Sequence, residues 1–151
     1  MKQLAKGQHP LKAKDCDGFQ NRGKFFEGIH DWKRYVGSGT YLIVLDSPFQ
    51  RLSGSSDILY IGSTENLGGN ENSRLRSYNY PSPRSPEERV NEQINKLLDR
   101  GNTVFFCLCQ SSPMGMSAPE HEEHLLKRFR EEHWELPPWN SSIPQTRDRD
   151  S

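Results

Sequence analysis

From Gly39 to Asp46 the chain reads Gly-Thr-Tyr-Leu-Ile-Val-Leu-Asp and then stops at Ser47-Pro48. This run constrains the fold more than any other. It is rich in β-branched residues, apolar at consecutive positions and too short for an ordinary helix, which predicts a strand buried on both faces. Such a strand needs partners. Ile58-Leu59-Tyr60-Ile61-Gly62 supplies a second strand and Thr103–Cys109 a third. The stretch Ser47–Asp57 contains Pro48, Gly54 and serines, so an antiparallel hairpin with a loose tip is the simplest link between the first two.

Three helices complete the pattern. Ser73 to about Tyr80 reads as a short helix stopped before Pro81. Pro86 opens a longer one, with Val90, Ile94, Leu97 and Leu98 at i, i+4, i+7 and i+8 and Gly101 at the C′ position. Ser117-Ala118-Pro119-Glu120 is a capping box that starts the last, which cannot continue through Leu136-Pro137-Pro138-Trp139-Asn140. The order β-β-α-α-β-α predicts an α+β domain with a small three-stranded antiparallel sheet flanked by helices.

Length and charge then limit what this domain can be. The chain has 151 residues, room for one domain, and its twenty Lys+Arg balance twenty Asp+Glu. A whole-molecule field that draws nucleic acid is therefore absent, and any anion site must be local. Residues 1–36 hold eight basic and four acidic groups, which reads as a basic N-terminal extension before a domain over 37–140. The reading makes residues 141–151 a disordered tail. Met1–Cys16 has no apolar stretch suited to a signal peptide or membrane anchor, so a cytoplasmic protein that engages no membrane is expected. Cys16, Cys107 and Cys109 form no C-x-x-C unit, and neither a disulfide framework nor structural zinc is expected.

Glu122 is the residue out of place. At 100° per residue, Leu126 falls about 40° to one side of it, Phe129 about 20° and Leu125 about 60° to the other. This carboxylate therefore sits within the apolar stripe, where its charge requires a basic partner or a bound cation. The neighbouring His121-Glu122-Glu123-His124 is not a zinc-hydrolase motif, because its histidines are i, i+3 rather than i, i+4 and point away from the apolar face. His133 shares the Glu122 face and reads as a packed or nucleic-acid-facing side chain.

Gly39-Thr40-Tyr41 opens the first strand and Tyr60-Ile61-Gly62 closes the second, which a hairpin can bring together. Ser63-Thr64-Glu65-Asn66-Leu67 follows, then Arg74-Leu75-Arg76-Ser77-Tyr78, with Arg74 and Tyr78 on one helix face. With Glu122 through Lys127 as E-x-x-L-L-K and Pro137 through Asn140 as P-x-x-N, five elements stand in an order that resembles the GIY-YIG nuclease superfamily. The resemblance runs from Gly39 to Asn140. It implies a metal-dependent phosphodiesterase on a small antiparallel sheet, in keeping with the strand and helix order.

The resemblance also implies roles. Tyr41 resembles the phenol that accepts a proton from the attacking water, Tyr60 the phenol that positions water or phosphate, and Tyr78 the i+4 companion of the arginine. Arg74 resembles the guanidinium on the scissile phosphate, with Arg76 as the alternative because residues 68–73 lengthen the preceding loop. Glu122 resembles the protein ligand of a Mg²⁺ or Mn²⁺ ion, and Asn140 a terminal asparagine that orders the site. Ser63 stands where relatives often carry lysine. The expected partner is DNA, with Lys24, Lys33, Arg34, Arg76 and His133 as further contacts and a homodimer on a palindromic site as one arrangement. Site-specific restriction is the leading subclass; a structure-selective repair nuclease or a non-catalytic binding domain are the alternatives.

Overall fold

A computed structural model describes residues 12–143; most of the expected tail and the first eleven residues of the expected extension lie outside the described residues. The strands are β1 Gln20–Lys24, β2 Gly39–Gln50, β3 Ser55–Thr64 and β4 Val104–Cys109, and the helices are α1 Phe25–Gly28, α2 Arg74–Asn79, α3 Pro86–Asp99 and α4 Ala118–His133. The sheet is antiparallel with the order β1-β4-β2-β3.

The α+β class stands, but the sheet has four strands rather than the predicted three. β1 reads Gln-Asn-Arg-Gly-Lys and carries no apolar alternation, so hydrophobic patterning cannot find it. Its backbone bonding to β4 places it, with Gln20 opposite Leu108, Asn21 opposite Cys107, and a register shift before Lys24. As an outer strand it needs no apolar face of its own.

The segment read as an extension is likewise part of the domain from at least residue 12. Phe25, Ile29, Trp32 and Tyr35 all reach the core, although their irregular spacing announces no element. The hairpin also differs from expectation. β2 and β3 pair out to Gln50 and Ser55, and Arg51 N–H donates to Gly54 O at 2.9 Å, so the tip is tight.

Strand alternation divides the core into two. Leu42, Val44, Ile58 and Ile61 face Leu125, Leu126 and Phe129 of α4. On the other side Tyr41, Ile43 and Leu59 meet Phe25, Leu75, Tyr78 and Ile94. Burying each such apolar side chain contributes roughly 1.5–3 kcal/mol before entropy is counted. Between these faces the β2–β3 register shifts, with Ile43 opposite Tyr60 but Val44 opposite Ile58. Leu59 is thus a bulge, and it resets the alternation so that Tyr60 lies on the same side as Tyr41.

The long helices begin and end as their sequences direct. Ser85 Oγ accepts from Glu88 N–H ahead of Pro86, and Gly101 takes φ +87° just past α3. At α4 the Ser117 and Glu120 side chains bond each other's backbone N–H. Trp134 ends that helix in the left-handed region. Burial raises the Cys16 thiol to about 12 and the Cys107 thiol to about 11, which keeps both protonated and unreactive. Among the described residues no helix is long and apolar enough to cross a membrane.

Candidate active site

The hairpin, α2 and α4 meet beside β3, at the edge of the sheet. Tyr41 and Tyr60 lie with ring centroids 6.0 Å apart, an approach that depends on Gly62. A Cβ on Gly62 would sit 2.6 Å from both Tyr41 Cζ and Tyr60 Cε2. Gly62 is opposite Tyr41 in the ladder, so the missing side chain is the space the phenols occupy.

Arg74 opens α2, and its Nη1 donates to Tyr41 Oη at 3.1 Å. Tyr41 and Tyr78 hydroxyls share a hydrogen bond of 3.0 Å, with their rings edge to face. The i, i+4 relation of Arg74 and Tyr78 thus brings both groups onto one phenol. Arg76 points elsewhere: its Nε lies 3.2 Å from Glu71 and its guanidinium over the Tyr80 ring. The geometry distinguishes the two arginines where spacing could not.

Glu122 is half-buried and accepts from Ser63 Oγ–H at 2.5 Å. A cleft of about 670 Å³ runs past it, with Tyr60 and Tyr78 on one side, Asn140 on another and α3 as the far wall. Asn140 closes the site from the return segment. Its Oδ1 accepts from Ile61 N–H at 3.0 Å and its Nδ2 donates to Ile61 O at 2.9 Å, while Trp139 N–H donates to Leu59 O at 3.0 Å. The side-chain amide behaves as one more peptide group on the β3 edge.

The electrostatics follow from burial. Desolvation raises the Glu122 carboxyl, and bonding from Ser63 and the Arg74 charge oppose that shift. Desolvation also raises Tyr41, again opposed first by Arg74, and it raises Tyr60, with Tyr41 and Glu122 adding to the effect. The Tyr41 oxygen pushes the Arg74 guanidinium, charged in any case, further up. No group of three or more His, Cys, Asp or Glu side chains suited to a metal occurs among the described residues. A single half-buried carboxylate in an open, oxygen-lined cleft fits a hard divalent cation that keeps most of its waters, as Mg²⁺ does.

Tyr41, Tyr60, Arg74, Tyr78, Glu122 and Asn140 are therefore brought to one place. Lys24, Lys33 and Arg34 are exposed on the surface. His133 is different: it is fully buried, with Nδ1 2.7 Å from Ser53 O and its ring against Phe129, so it cannot face nucleic acid. It anchors the hairpin tip to α4. His121 is also buried despite its predicted outward direction, because Phe19, ahead of the unpredicted β1, stacks on it at 5.3 Å. Two contributors escaped sequence reasoning. Ser63 bonds the carboxylate, and Asn91 of α3 donates to Tyr78 O at 2.8 Å, holding the end of α2 in place. Ser63 directly follows Tyr60-Ile61-Gly62, which is a signal; Asn91 has none.

Against this geometry, no family model, curated protein or solved structure matches the chain.

Proposed function

We propose that the chain is a divalent-metal-dependent endonuclease of the GIY-YIG type that hydrolyses DNA phosphodiester bonds, with site-specific cleavage as the leading subclass. One observation carries the reading. A half-buried carboxylate, Glu122, lines a cleft with Tyr60 and Tyr78, and the Tyr78 hydroxyl is hydrogen-bonded to Tyr41, which also accepts from Arg74, so a polar cluster stands where the core meets the cleft.

The residues divide the work. Arg74 presents a planar fork to the non-bridging oxygens of the scissile phosphate, where negative charge grows in the transition state. Turning toward that phosphate releases a hydrogen-bond position on Tyr41 Oη, which would take the proton from water; burial disfavours the phenolate this needs, and the Arg74 charge opposes that effect. Tyr60, half-exposed on the cleft, orients that water, and Tyr78 fixes the Tyr41 hydroxyl. Glu122 would hold Mg²⁺ or Mn²⁺, with Ser63 orienting the carboxylate and Asn140 keeping the β3 edge in register. When bound, such an ion supplies Lewis-acid stabilisation of the phosphate and the leaving oxygen.

The test is incubation of phage-length DNA with Mg²⁺ or Mn²⁺, alongside a Glu122→Gln variant shown to be folded. Discrete fragments that disappear in the variant support a site-specific nuclease. A ladder without discrete bands keeps the nuclease and removes site specificity. Absence of cleavage with any divalent ion overturns the enzymatic reading, and retained DNA binding would then favour the non-catalytic alternative.

A further inference from the structure

α2 is a partition with two used faces. Arg74 and Tyr78 turn toward Glu122, whereas Arg76 and Asn79 lie roughly opposite at 100° per residue, with Tyr80 just beyond the helix. Behind α2 lies a second cleft of about 700 Å³, lined by Trp32, Lys33, Arg34, Arg76, Asn79 and Tyr80 among others. It is separate from the cleft that holds Glu122.

The second cleft is pre-formed. Asn79 Nδ2 donates to both Ile29 O and Leu75 O at 2.8 Å, stapling α2 to the turn that carries Trp32, Lys33 and Arg34. Tyr80, on its lining, is 62% exposed, so much of its ring is open to solvent. The Arg76 guanidinium stands 5.1 Å from the centre of that ring, and Lys33 Nζ 5.5 Å from the Trp32 ring. Two ion pairs stand at the rim: Arg76, partly exposed, meets Glu71 at 3.2 Å through a buried Nε, and Arg34 meets Asp31 at 3.9 Å in an exposed pair. Lys33 has no ion-pair partner among the described residues.

An exposed ring beside the exposed cations Lys33 and Arg34 and the partly exposed Arg76 suits a flat, π-faced group carrying a phosphate. We infer that this cleft binds an unpaired nucleotide of the substrate strand, flanking the scissile phosphate, with its base on Tyr80 and its phosphate between Arg76 and Lys33. The flanking position rests on the nuclease reading of the Arg74 face. A base stacked within a duplex cannot reach the ring, so a duplex substrate must have this nucleotide flipped out beside the cut, and a bulge presents one already unpaired.

The test measures binding without cleavage, in EDTA, by fluorescence anisotropy. The probes are a perfect duplex and the same duplex with a single bulged 2-aminopurine. The wild-type protein should bind the bulged duplex on the order of ten-fold more tightly and quench its 2-aminopurine emission. Tyr80→Ala should erase both the preference and the quenching while leaving affinity for the perfect duplex unchanged, and Tyr80→Phe should restore them. Arg76→Gln should weaken binding to both duplexes and reduce the salt slope by about one.

Equal affinity of the wild-type protein for the two duplexes, or a preference that survives Tyr80→Ala, overturns the inference. So does an equal loss of heparin binding in Tyr80→Ala, which would assign the ring to general polyanion attachment. The two readings separate cleanly. Cleavage without a Tyr80-dependent preference rejects the cleft and keeps the nuclease; the preference without cleavage does the reverse.

Discussion

At Glu122 the folded protein holds its proton more tightly than the unfolded chain does, because desolvation outweighs the bonding from Ser63 and the charge of Arg74. The stability this side chain contributes is therefore greatest below the ordinary carboxylate range and is lost as pH rises through its elevated value. Glu122→Gln keeps an acceptor for Ser63 and removes the charge. In EDTA it should melt above the wild type at pH 8 and level with it near pH 4, as followed by circular dichroism; a variant less stable at every pH would contradict this account. Mg²⁺ should raise the wild-type midpoint and leave the variant unmoved. At Gly62 the expectation is steric. A methyl group placed 2.6 Å from both tyrosine rings must spread them, so Gly62→Ala should cost about 1–3 kcal/mol in denaturant unfolding and abolish cleavage. Of these residues Glu122 was legible in the sequence, because helical periodicity exposes a charge on an apolar face. The role of Ser63 was not, because it depends on a contact across 59 positions.

The elements that carry the site owe their ends to local chemistry. α4 starts with reciprocal bonds between Ser117 and Glu120, and Glu122 stands just beyond that first turn. Ser117→Ala should lower stability by about 1 kcal/mol in urea titration. It should also reduce cleavage more steeply on warming than the global midpoint predicts, as the frayed turn releases Glu122; parallel losses would mean that the cap acts only on overall stability. Such signals depend on residues three or four apart, so the helix starts and Gly101 at the end of α3 were readable in advance. The Leu59 bulge was not readable: the sequence offers two tyrosines at plausible places, but only the shifted register puts Tyr60 on the Tyr41 side. The long interval from Glu122 to Asn140 also acquires a reason. α4 continues to His133, Trp134 turns the chain in the left-handed region, and the return segment brings Asn140 to Ile61.

Across the whole molecule, neutrality conceals an uneven distribution in which the basic first 36 residues are partly core. Deleting residues 1–11 removes Lys2 and Lys6 and should lower the salt slope of DNA binding by up to about two. Deleting residues 1–24 should instead destabilise the protein, because it removes β1 and the Phe19 cover on His121. Thermal melts of the two truncations isolate what residues 12–24 contribute: equal stability would show that β1 is dispensable. The sequence by itself determined three strands, the long helices, the misplaced carboxylate and the set of candidate side chains, because apolar periodicity and helix capping act over a few residues. Only the tertiary structure decided that a polar segment completes the sheet, that Arg74 rather than Arg76 meets Tyr41, and that His133 is buried. Those outcomes depend on backbone pairing and packing between distant segments, such as the 79 positions separating Asn140 from Ile61, and no local pattern encodes that proximity.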